Sequence, residues 1–257
     1  MPELWDACAI LIRHEALEWT LRMDARPLVK AVEAVKTYES GPLEVHALQR
    51  VNLEIGRGEM VAIMGPSGCG KTTLLNCFSG LDELTSGEVY VDGQALSAMT
   101  DKSKTEYRAK RMGFIFQSYN LLPILTAVEN VELPLLITGT HPKKARDTAT
   151  KLLDLVGMKG WEPHKPSELS AGQQQRTAIA RALVNSPAIV WADEPTGNLD
   201  TDTSRQIMQL LKKLNLENHQ TFVVVTHDQA VSEWADRILR MKDGRIVEDT
   251  RNKRVAV

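Results

Sequence analysis

The segment Gly65-Pro66-Ser67-Gly68-Cys69-Gly70-Lys71-Thr72 matches G-x-x-x-x-G-K-[ST] and restricts the fold more than any other stretch of the chain. Such a loop needs a buried strand before it and a helix after it. Both flanks comply: Met60-Val61-Ala62-Ile63-Met64 is a short apolar run, and Thr72-Thr73-Leu74-Leu75-Asn76-Cys77-Phe78 reads as a helix start. The glycines let the backbone curl so that successive N–H groups face one anion, and the helix N-terminus adds partial positive charge. In this pattern Lys71 reaches the β- and γ-phosphates, and Thr72 offers its hydroxyl to Mg²⁺. A glycine-rich turn that binds nothing rarely has both flanks right, so the expectation is a nucleoside triphosphate site.

The chain has 257 residues, room for one large α/β domain or two small ones. Its net charge of −2 gives no global basic field, which counts against nucleic acid as a partner. Cys8, Cys69 and Cys77 make no disulfide framework, and one lies inside the glycine loop, as suits a reducing compartment. No apolar run approaches the ~20 residues of a membrane span. Glu3 and Asp6 stand where a signal peptide needs basic residues. The expectation is a cytosolic protein that serves a membrane only through other chains. Residues 1–25 stand apart as an extension, and Met23 is read as the biological start.

From Leu28 the pattern is strand-rich, over 28–35, 45–55 and 60–64, with Tyr38 and the turn Glu39-Ser40-Gly41-Pro42 between the first two. An alternating strand over 87–91 closes at Asp92-Gly93, a charged helix spans 101–111, and a short strand over 113–116 ends at Gln117. From about 118 to 168 strand signals vanish. Helices are predicted over 126–136 and 143–156 among five prolines, which reads as a helical subdomain inserted into an α/β core. Helices over 170–185 and 201–216, and a short one from 229, then alternate with strands over 188–192, 221–226 and 237–241. That alternation predicts a mainly parallel sheet. Residues 26–250 are read as one domain and 251–257 as a basic tail.

A second constellation is Ile189-Val190-Trp191-Ala192-Asp193-Glu194-Pro195, an apolar strand ending in two carboxylates. The C-terminal end of a parallel strand is where α/β folds bind ligands. Asp193 can hold Mg²⁺ through its water shell, and Glu194 can accept a proton from an attacking water. A third is Leu169-Ser170-Ala171-Gly172-Gln173-Gln174-Gln175-Arg176. Read plainly, Ser170 and Gln173 form a capping box. The same geometry makes a second anion-binding helix N-terminus. One nucleotide does not need two such ends from one chain.

The order of these motifs resembles the nucleotide-binding subunit of an ATP-binding-cassette (ABC) transporter. It runs from the phosphate loop to Gln117, L-S-A-G-Q and D-E-P, then to Gly197-Asn198-Leu199-Asp200 and His227 after a valine strand. Asn120-Leu121-Leu122-Pro123 and Glu129-Asn130-Val131-Glu132-Leu133-Pro134 further resemble the lipoprotein-release, macrolide-export and cell-division (LolD/MacB/FtsE-like) branch. The resemblance implies a P-loop NTPase core with an antiparallel N-terminal β portion, and two subunits that sandwich two ATPs head to tail. Tyr38 matches the residue that stacks on adenine, and residues 65–73 match the loop that cradles the phosphates. Gln117 matches the sensor of Mg²⁺ and attacking water, Glu194 the general base, and His227 the γ-phosphate contact. Ser170, Gly172 and Gln173 belong to the signature presented to the opposite subunit, and Asp200 to the loop that crosses the interface. The partners implied are a second copy and transmembrane permease subunits, with the chain peripheral on the inner face of the plasma membrane. A mechanotransmitting ATPase that moves no substrate fits the same motifs. Two departures stand out: Ala171 replaces the usual glycine, and Trp191 is bulky for its strand.

Overall fold

The computed structural model describes residues 26–40 and 43–252. The extension over 1–25 with its Met23 start, the Gly41-Pro42 part of the first turn and residues 253–257 lie outside the described residues.

Among the described residues the strands form two sheets. β1 (Val29–Ser40), β2 (Leu43–Ile55), β4 (Ser86–Val91) and β5 (Gln94–Ala95) build an antiparallel sheet in the order β2-β1-β4-β5. β3 (Met60–Met64), β6 (Met112–Phe116), β7 (Ile189–Asp193), β8 (Thr221–Thr226), β9 (Arg237–Lys242) and β10 (Arg245–Arg251) build the second, in the order β10-β9-β3-β8-β7-β6. In it β9, β3, β8, β7 and β6 run parallel, and only β10 is antiparallel. The helices are α1 (Lys71–Phe78), α2 (Asp101–Arg111), α3 (Ala127–Ile137), α4 (Pro142–Leu155), α5 (Ala171–Leu183), α6 (Thr201–Asn218) and α7 (Gln229–Ser232), with a 3₁₀ turn over Pro166–Glu168.

The parallel strands are buried on both faces, and alternate residues serve different cores. Met60, Ala62 and Met64 of β3 face a cluster shared with α3, α4, α5 and α6. Val61 and Ile63 face the other side, where α1 and the antiparallel sheet pack. Trp191 fills that second core, fully buried, and its indole N–H has no partner among the described residues.

α3 and α5 start one residue later than the pattern suggested, because Thr126 and Ser170 serve as their caps, whereas α2, α6 and α7 start where the pattern put them. Thr126 and Glu129 form a capping box on α3. The predicted tail begins inside a strand: β10 runs to Arg251, and the Asn252 N–H bonds to the Asp236 carbonyl at 2.9 Å. β10 is an exposed, charged edge strand, so its sequence carries no apolar alternation. Among the described residues no helix is long and apolar enough to cross a membrane.

Candidate nucleotide-binding site

β3 delivers the chain into the glycine loop and α1 receives it. Gly70, the N-cap of α1, has φ 101°, and a Cβ there would collide with the Ala47 carbonyl of β2. Only glycine meets both conditions. Lys71 Nζ folds over the loop and donates to the carbonyls of Gly65 (2.8 Å) and Pro66 (3.0 Å). The ammonium therefore stands at the mouth of the loop.

The carboxylates arrive from β7. Thr72 Oγ1 donates to Asp193 Oδ1 at 3.3 Å, joining α1 to the strand end. Burial lifts the Asp193 carboxyl above its ordinary range; the Thr72 hydroxyl opposes this, Glu194 adds to it and Lys71 opposes it again. Glu194 takes a left-handed backbone, φ 47°. For a non-glycine residue this costs of order 1–3 kcal/mol, a strain found mostly at functional sites. It turns the carboxylate toward the end of β8. There Glu194 accepts from the His227 backbone N–H (3.1 Å) and Thr226 Oγ1 (3.2 Å), and lies 2.7 Å from His227 Nδ1. An ionised carboxylate only accepts, so this last bond places a proton on Nδ1.

Tyr38, Pro66, Ser67, Gly68, Gly70, Lys71, Thr72, Thr73, Gln117, Glu194 and His227 line one cleft of about 890 Å³, a size usual for small-molecule sites. Gly65 and Cys69 do not line it. The Cys69 thiol is buried against Gly65 beneath the loop, and its N–H bonds to the Pro66 carbonyl at 3.3 Å. Asp193 stands behind Thr72. Gln117 Nε2 donates to Asn198 Oδ1 (3.3 Å), and Asn198 Nδ2 returns a bond to the Gln117 carbonyl (3.0 Å), tying β6 to the loop after β7.

Ser170, Gly172, Gln173 and Asp200 are not part of that cleft. The capping box is formed: Gln173 N donates to Ser170 Oγ (3.3 Å), and Ser170 N to Gln173 Oε1 (2.9 Å). Asp200 caps α6 by accepting from Thr203 N at 2.9 Å. A Cβ on Gly172 would come within 2.7 Å of the Thr203 methyl, so these two helix starts lie side by side and form a second patch.

The sequence reading missed several neighbours of the cleft. His46 and Gln49 of β2 line it, as do Asp243 and Gly244. His46 pairs with Thr37 in the β1–β2 register, so extending the hairpin from the turn would have found it. The Asp243-Gly244 turn gave no such signal. It lies under the loop through the bond from Gly244 N to the Cys69 carbonyl (3.0 Å), a long-range contact.

Thr72 and Asp193, with the Gln117 amide nearby, offer only oxygen donors, the hard ligands that Mg²⁺ prefers. Among the described residues no three His, Cys, Asp or Glu side chains cluster as a metal cage.

A phosphate loop with an acidic strand end two strands away defines a nucleoside triphosphatase of the P-loop class. The chain belongs to the ABC transporter family, whose pattern matches residues 48–197. It is 48% identical over 213 residues to the lipoprotein-releasing system ATP-binding protein LolD of Pseudomonas syringae pv. tomato, covering 83% of this chain and 94% of that protein. It is 45% identical over 225 residues to the macrolide export ATP-binding/permease protein MacB of Pasteurella multocida, covering 88% of this chain but 34% of that longer protein. Among solved structures, the dimeric post-hydrolysis cassette MJ0796 bound to ADP and Pi is 46% identical. It covers 88% of this chain and 100% of that one, with a TM-score of 0.82; the curated MJ0796 relative is from Methanocaldococcus jannaschii. The chain is thus an ATP-binding, ATP-hydrolysing cassette.

Proposed function

We propose that two copies of this chain close head to tail around two Mg-ATP molecules and drive separate transmembrane subunits in export or lipoprotein release. The observation that carries this is the separation of the two helix starts: the cleft holds the phosphate loop, Glu194 and His227, while the capped end of α5 is elsewhere on the chain. Each site is then completed by the Ser170–Gly172 end of the other copy.

In the closed dimer Tyr38 stacks on the base, and the backbone N–H groups of residues 67–73 and the Lys71 ammonium hold the phosphates. Thr72, Asp193 and Gln117 hold Mg²⁺, which neutralises phosphate charge. Water attacks the γ-phosphorus, Glu194 takes its proton, and the bond to the β–γ bridging oxygen breaks to release ADP. With Nδ1 turned toward Glu194, the ring of His227 presents Nε2 to the γ-phosphate. Loss of phosphate removes the contacts across the interface, and the dimer opens.

The membrane side is the stretch from Leu121 to Leu136 and its neighbour Ile137. Buried Asn130 clamps the preceding loop by donating to the carbonyls of Leu122, Leu125 and Thr126 and accepting from Leu122 N. This presents Ile124 (77% exposed), and the end of α3 presents Ile137 (70% exposed), to a partner, with the chain peripheral on the inner face of the plasma membrane. Charged residues at Leu122 and Leu125 should abolish partner binding and leave nucleotide binding intact.

Size-exclusion chromatography of Glu194→Gln with Mg-ATP, Mg-ADP or no nucleotide tests the core of the proposal. Dimer with ATP alone, and no phosphate release where wild type releases it, is the expected result. A variant that binds ATP yet stays monomeric would overturn the head-to-tail site.

A further inference from the structure

Tyr38 does not stand free at the cleft wall. Its hydroxyl donates to Asp82 Oδ2 at 2.7 Å. Lys36 Nζ lies 4.7 Å from the centre of its ring, a cation–π distance. The same ammonium donates to Asp82 Oδ1 (2.7 Å) and to the Glu83 carbonyl (2.7 Å). Asp82 thus binds both side chains at once, one through each oxygen. It is itself fixed to the phosphate-loop helix: the N–H groups of Leu81 (2.8 Å) and Asp82 (3.1 Å) both bond to the Asn76 carbonyl of α1. Lys36 does not line the cleft that Tyr38 lines, so the ring face left for a base is the one away from the ammonium.

We propose that Asp82, together with Lys36, is the positioning residue for Tyr38, bridging the antiparallel sheet to the phosphate-loop helix so that ring and phosphate cradle are held at one fixed separation. This rests on the reading that Tyr38 stacks on the nucleotide base. The bridge makes the cleft selective for a polyphosphate that carries an aromatic base over one that does not. Stacking supplies little directional force, so its strength depends on the ring waiting in place. The bonds from Lys36 and Tyr38 outweigh burial and hold the Asp82 carboxyl below its ordinary range, as a carboxylate serving two donors requires.

The test compares the affinity of the full chain for Mg-ATP with its affinity for magnesium tripolyphosphate, which shares the phosphates and lacks the base. The variants are Tyr38→Ala, Tyr38→Phe, Asp82→Ala and the double variant Tyr38→Phe/Asp82→Ala. Tyr38→Ala should remove the preference for ATP. Tyr38→Phe keeps the ring but loses the anchor, and it and Asp82→Ala should each cut the preference about three- to tenfold. The double variant should lose no more than the worse single one, because both break the same bond. Tripolyphosphate affinity should stay unchanged throughout, which shows that the loop is folded. If Tyr38→Ala keeps the full preference, the stacking reading fails and the proposal with it. If Tyr38→Ala loses the preference but Asp82→Ala and Tyr38→Phe keep it, the stack stands and the bridge is overturned. Additive losses in the double variant would also overturn it.

Discussion

The N-termini of α1 and α5 both point backbone N–H groups at potential anions, yet they differ in how those groups are occupied. At α1 the cap is Gly70, which offers no side chain, so the N–H groups are left for a ligand. At α5 the cap is Ser170, and its hydroxyl and Gln173 satisfy the end from within the chain. The first end waits inside a cleft with Lys71 over it; the second is stable by itself and sits with the start of α6. A helix start that is already capped can be carried as a finished surface and pressed against another molecule's phosphate. One that is uncapped has to be filled. On the proposed head-to-tail arrangement, a single chain holds two unlike halves that meet only across two copies.

The largest effects come from damaging one half at a time. Lys71→Ala and Ser170→Asp should each lower hydrolysis about 100-fold or more, but only Lys71→Ala should abolish ATP binding by the isolated chain. Aspartate still caps a helix, so Ser170→Asp should unfold like wild type while setting a negative charge against the γ-phosphate. Mixing the two variants should restore part of the activity, since one of the two sites in a mixed dimer has both halves intact; phosphate release on mixing checks this, and no recovery would break the comparison. Chelating Mg²⁺ should come next: ATP should still bind the cleft, measured by equilibrium dialysis, while hydrolysis stops. A smaller effect is expected for Ser170→Ala, which should cost about 1 kcal/mol in urea unfolding. Smallest of all, Ala171→Gly should change hydrolysis by less than about threefold, because a helical φ tolerates the methyl.

Much of this was legible in the residues. The charged helix over 101–111, β3 and the strand over 221–226 have the bounds that periodicity gave, because each is long or strongly apolar and ends at a cap or turn. The phosphate-loop residues and Glu194 came from motifs whose spacing is local, while Tyr38, Gln117 and His227 came from the family resemblance. What escaped was set by distance: Asp243-Gly244 reaches the loop only through the sheet, and Asp82 meets Tyr38 only because β1 passes the end of α1. Polar β10 escaped because a strand on an exposed edge needs no apolar face.

The order of strands in the second sheet has a consequence for how the protein is made. β3, which leads into the phosphate loop, pairs with β8 and β9, and both leave the ribosome more than half a chain later. At usual rates of synthesis the apolar run Met60–Met64 waits roughly 10–30 s for its partners. A nascent chain that ends before Thr221 carries the whole loop motif without the two strands that flank β3. The site most plainly written in the sequence is thus among the last to exist, and until then its strand is a segment for chaperones to shield.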